Sequence, residues 1–135
     1  MLDTVWRLGE KDFDVDDFLR SFCLNDLAVV FHKGERRSHS NVHERSGFNI
    51  LVSENRDSLE NISELNQFLV RHKDAFDYLV KLNIHSVLDI GCSVDTADQF
   101  TKSVNIPCKL LGILNKLNVS LEFSIYPASD EETET

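Results

Sequence analysis

Val119-Ser120-Leu121-Glu122-Phe123-Ser124-Ile125-Tyr126 is the stretch on which the fold turns. Successive side chains of a strand point to opposite faces, so Val119, Leu121, Phe123 and Ile125 share one side, while Ser120, Glu122 and Ser124 share the other. Such a strand has one face on a core and one in water, as in a sheet covered on one side only. The cover is supplied just upstream. Pro107 suits the first turn of a helix, where its missing N–H costs nothing. Leu110, Leu111, Ile113, Leu114 and Leu117 then form the apolar side of that helix.

The same two patterns recur towards the N-terminus. Leu59, Ile62, Leu65, Leu69, His72, Phe76 and Leu79 recur every three or four positions, which predicts one amphipathic helix over about 58–82. Asp57 or Ser58 is placed to cap its start, and Asn83 suits a left-handed C-cap. A shorter helix is predicted over about 14–23. Asp14 is a good N-cap, Asp16 and Asp17 fall where the helix dipole favours negative charge, and Val15, Phe18, Leu19 and Phe22 have helical spacing. Strands are predicted over 4–8, 27–31, 47–52, 86–90 and 100–106. Residues 33–46 have almost no apolar content and read as a surface loop. The order β-α-β-β-α-β-β-α-β predicts an α+β fold: one antiparallel or mixed sheet of about five to six strands, with three helices on one side. A single domain is expected over 1–127, then an acidic disordered tail over 128–135 that holds four of the 23 acids.

The 135 residues fit one domain, and 41% apolar with 27% charged residues is ordinary globular composition. Fourteen Lys and Arg against 23 Asp and Glu give a net charge of −9. That balance counts against binding a phosphate backbone, so nucleic acid is not an expected partner. No run approaches the roughly 18–20 apolar residues of a membrane-spanning helix. Residues 1–7 lack a basic region followed by an apolar run, so no signal peptide is expected and the predicted location is cytoplasmic. Cys23, Cys92 and Cys108 are odd in number and lack C-x-x-C spacing; they are expected to be reduced, mostly buried thiols.

No constellation in the sequence specifies catalysis, and none specifies a cofactor. His39 and His43 have the i,i+4 spacing of a helical metal pair, but the polar run around them does not read as a helix and no cysteine pair completes a site. Cys92 follows Gly91 after a strand but lacks the G-x-S-x-G pattern and an identifiable base. The acids from Glu10 to Asp17 lack the register of a calcium loop, and helix capping accounts for them better. Trp6, the single tryptophan, is expected in the core or at its rim, and His72 at the core edge with a local hydrogen-bond partner. The one local excess of positive charge is the loop bearing Lys33, Arg36, Arg37 and Arg45. Arginine forks suit carboxylate and phosphate, so these four residues are the candidate ligand-binding set for a small anion or nucleotide.

Several segments resemble a family of bacterial proteins catalogued as domain of unknown function 4279. They are residues 8–19 (Leu-Gly-Glu-Lys-Asp-Phe-Asp-Val-Asp-Asp-Phe-Leu), 32–36, 45–48, 87–91 and 107–117 leading into 121–126. The resemblance covers nearly the whole chain. It implies a small α+β domain of bacterial type and carries over no catalytic or ligand residues.

The sequence therefore points to a non-enzymatic protein-binding module. Its most concrete form is a bacterial immunity protein that neutralises a cognate toxin, with the acids Asp12, Asp14 and Asp16 as the candidate partner-binding set. Complementary charge would speed such an association. The expected assembly state is a monomer or weak homodimer.

Overall fold

The computed structural model describes residues 1–94 and 103–127. Five strands form one mixed sheet: β1 (Leu2–Glu10), β2 (Ala28–Phe31), β3 (Ser46–Asn55), β4 (Ser86–Val94) and β5 (Val119–Pro127). Four helices connect them: α1 (Val15–Ser21), α2 (Ser58–Arg71), α3 (Lys73–Lys81) and α4 (Cys108–Lys116). The strand order is β2-β3-β1-β4-β5. β1 lies antiparallel to both β3 and β4, β2 is antiparallel to β3, and β5 runs parallel to β4. The first four strands thus make two interlocked split β-α-β units, the ferredoxin-like arrangement. α4 and β5 add a further parallel strand at one edge. This is an α+β fold, as the patterning predicts.

The helices cover one face of the sheet, except along the second half of the edge strand β5, where Phe123 and Ile125, expected on the core side with Val119 and Leu121, are 47% and 73% exposed. Trp6 and Leu8 of β1, Phe48 and Ile50 of β3 and Leu88 of β4 are buried in one cluster with Phe18, Leu65, Phe76, Leu110 and Leu114 from the helices. Trp6 is at its centre. Its indole stacks on Phe76 at 4.2 Å and meets Phe48 edge-on at 4.9 Å, geometries that favour aromatic pairs beyond their area burial. Two buried polar residues link elements here: the Thr4 hydroxyl donates to Asn61 Oδ1 (2.8 Å), and the Asn61 amide donates to the Leu2 carbonyl (3.3 Å). Both fix α2 to β1, because a buried amide without partners would be costly.

The helix ends follow from their residues. Asp14 accepts from the Asp17 N–H at 3.1 Å and Asp57 from the Leu59 N–H at 2.9 Å, each an N-cap. Asn83 takes φ +56°, with Ile84 N–H bonded to the Leu79 carbonyl, the hydrogen-bond pattern of a Schellman C-cap.

Three expectations need correction. The helix expected over 58–82 is two helices, because His72 leaves the helical region (φ −109°, ψ 25°) and serves at once as the C-cap of α2 and the residue before α3. Its apolar stripe survives the break: Leu65 and Leu69 before it and Phe76 and Leu79 after it are all buried. Secondly, residues 103–106 are not a strand, and the remainder of the strand expected over 100–106 lies outside the described residues, as does the 128–135 tail. Thirdly, of the cysteines only Cys92 is buried. Cys23 stands exposed at φ +55° just past α1, and Cys108 opens α4 on its exposed side. The surface loop expected over 33–46 is at the surface, and its main chain is paired along part of its length. Gly34 N–H donates to the His43 carbonyl (2.8 Å), His43 N–H to the Glu35 carbonyl (2.8 Å) and Arg37 N–H to the Asn41 carbonyl (2.9 Å), while Arg36 and Val42 form a bridge. A polar stretch can pair in this way because backbone groups alone make the bonds.

Candidate functional site: the open face of the sheet

Among the described residues no helix covers the opposite face of the sheet, and the register shows what lines it. One row runs straight across the five strands: Val29, Asn49, Arg7, Val87 and Ser120. On one side of this row lie Phe31, Gly47 and Gly9; on the other lie Leu51, Val5, Asp89 and Glu122, then Glu54, Asp3, Gly91 and Ser124. Formal charge is sorted along the strand axis. Asp3, Glu54, Asp89 and Glu122 occupy one end. Arg7 stands at the boundary, and Arg45 lies over the other end, its guanidinium donating to the Gly9 carbonyl at 3.4 Å.

Arg7 and Asp89 hold the two halves together. Arg7 Nη2 is 2.8 Å from Asp89 Oδ2, and the Ser124 hydroxyl donates to the other Asp89 oxygen at 2.8 Å. The Asp89 side chain is only 4% exposed, whereas that of Arg7 is 52% exposed. The carboxylate is therefore a buried anchor, and the arginine keeps donors facing solvent.

The basic end is a shallow groove of ≈ 720 Å³ between the sheet and the 33–45 ribbon, lined by Arg7, Arg37, Arg45, Asn49, His43 and Glu44 among others. Gly9 lines it, and the buried Gly47 is the register partner of Gly9 on β3. A Cβ at Gly47 would lie 1.8 Å from the Leu8 carbonyl oxygen and 2.8 Å from Phe31 Cζ, so only glycine fits there. The Phe31 ring stacks on His43 at 4.7 Å. The ribbon is clasped to α1 by His32, whose ring nitrogens lie 2.7 Å from Asp16 and 2.7 Å from Glu35. Hydrogen bonding to Asp16, then to Glu35, raises the His32 pKa, and the same contact lowers that of Glu35.

The residues singled out from sequence are dispersed. Of the basic set, Arg37 and Arg45 line the groove; Lys33 lines a neighbouring hollow with Lys11, and Arg36 sits in the ribbon beside Val42. Of the acidic set, Asp14 caps α1 and Asp16 holds His32, while Asp12 is exposed in the turn before the helix. Asp16 borders the helix side of β2 with Leu19 and Val30, away from the open face. Sequence reasoning missed Arg7, Asn49, Asp89 and Glu122, which read only as the polar positions of alternating strands. Their grouping depends on a register that joins residues more than 80 positions apart. His72 has its ring against Phe68 at 4.5 Å, and burial, with a smaller contribution from Arg71, lowers its pKa.

Among the described residues, no group of three or more His, Cys, Asp or Glu is placed to hold a metal ion, and no helix is long and apolar enough to cross a membrane. No family model, no curated protein and no solved structure matches the chain, so the site is read from its own residues and geometry.

Proposed function

We propose that this protein is a binding module that docks a protein partner on the open face of its sheet. The observation that carries this reading is the sorting of charge along a five-stranded face that none of the described helices covers. Fields arranged in this way fix the orientation of a partner and speed encounter, because like charges meet in the wrong orientation. Val29 and Leu51 are 70% and 53% exposed on the same face, and they supply the apolar contact area that a charged rim alone lacks. In its most concrete form the partner is a toxin that the module neutralises by occlusion, which requires a surface and no catalytic group. Glu122, exposed at the acidic end, and Arg45, exposed at the basic end, are the residues that set orientation.

The test is titration calorimetry of the full chain with the product of the adjacent gene. Binding is expected, and E122K or R45E should weaken it by about tenfold or more, the scale of a charge pair placed opposite a like charge. Absence of binding, or binding indifferent to both reversals, refutes the reading.

A further inference from the structure

We propose that the basic end of the open face is a binding site for an oxyanion, the phosphate or carboxylate group of a small ligand, held by Arg37 and Arg45 with Arg7 and Asn49 beside them. Four features support this assignment. The donors reach one groove from three separate places: Arg7 from β1, Asn49 from β3, and Arg37 and Arg45 from the ribbon. The ribbon is held by its own backbone bonds and by the His32 clasp, so less ordering is lost when a ligand arrives. Arg37 and Arg45 form no ion pair among the described residues, although the chain has nine more acids than bases. Finally, Arg45 spends one guanidinium donor on the long bond to Gly9, and a guanidinium has five.

Charge within the groove narrows the ligand. Asp89 already balances Arg7, and Glu44 also lines the wall. What remains favours a ligand with two or more negative charges, since a single charge gains little against Glu44. Arginine forks bind planar carboxylates and phosphates bidentately, and Asn49 supplies a neutral donor in the same groove. This site stands or falls independently of whether the face also docks a protein.

The test is a two-dimensional amide NMR titration of the full chain at low salt with three probes: inorganic pyrophosphate, tricarballylate and a hexaglutamate peptide. Saturable shifts are expected at Gly9, Arg37, His43, Arg45, Gly47 and Asn49 with at least one of the first two probes. The stronger of the two identifies a phosphate or a carboxylate ligand. R37A and R45A should each weaken that binding about tenfold or more, the worth of one charge-assisted hydrogen bond. K116A, at the end of α4, should leave it unchanged. Arg37 is exposed and reaches no core, so R37A remains informative if R45A unfolds. Binding of the peptide alone would overturn the small-ligand assignment. So would unsaturable shifts spread over the lysines of α3 and α4, or unaltered binding by R37A.

Discussion

The Arg7 guanidinium and the Asp89 carboxylate meet at 2.8 Å across β1 and β4, one half exposed and the other almost fully enclosed. This asymmetry means that the two ends of the pair are not equivalent. Removing the arginine strands a charge that water hardly reaches, whereas replacing the carboxylate by an amide leaves a neutral group still bonded to Ser124. Arg7→Ala is therefore expected to destabilise the fold by about 1–3 kcal/mol, less than for a fully buried pair because Arg7 is itself half in solvent. In an Asp89→Asn background the same substitution should cost less. Urea denaturation of the four-member cycle measures the coupling, and equal costs in both backgrounds would contradict the assignment.

Two glycines offer a contrast of sign. Gly47→Ala drives a methyl group into the Leu8 carbonyl and the Phe31 ring. It should cost about 3 kcal/mol or more, since the clash is with paired backbone rather than with a flexible side chain. Gly112 lies within α4 with open space around it. Gly112→Ala should stabilise by about 0.5–1 kcal/mol through helix propensity and a less free unfolded chain. Thermal unfolding of both variants checks the pair.

The histidines of the clasp and the helix junction pull stability in opposite directions with pH. His32 has a raised pKa in the folded protein, so its protonated form is favoured by folding. Its contribution is complete below about pH 6.5, the unfolded value, and is lost as pH rises through the raised folded value. His72 has a lowered pKa, so folding favours its neutral form. Its contribution is complete above about pH 6.5 and is lost as pH falls through the lowered value. Imidazole titrations by NMR should place His32 above and His72 below an unfolded peptide control. His32→Ala should flatten the alkaline side of the stability profile, and His72→Phe the acidic side.

Much of the fold was legible because it follows from local chemistry. Val119, Leu121 and the capping residues Asp14, Asp57 and Asn83 declare their elements through periodicity and side-chain reach alone. The break at His72 was not legible: neither proline nor glycine marks it, and the apolar stripe runs through without a change of phase. The paired ribbon was hidden for a related reason, since its bonds are made by the main chain of a polar stretch. The candidate site was least legible. Arg37 and Arg45 stood out as local basic charge, but Arg7, Asn49, Asp89 and Glu122 acquire meaning only when strands distant in sequence are laid side by side. The acids around the start of α1 stood out by density, and two of them turn out to be occupied by a cap and by His32.

The open face itself is tested most directly by methyl cross-saturation NMR with the bound partner. The two sides of the molecule carry exposed aliphatic reporters: Val29 and Leu51 on the open face, and Leu59, Val70 and Leu111 on the helices. Saturation from the partner is expected at the methyl groups of Val29, Leu51 and Val87, with those of Leu59, Val70 and Leu111 unaffected. Saturation at Leu59, Val70 and Leu111 with Val29 and Leu51 silent would place the partner on the helices and contradict the assignment of the open face.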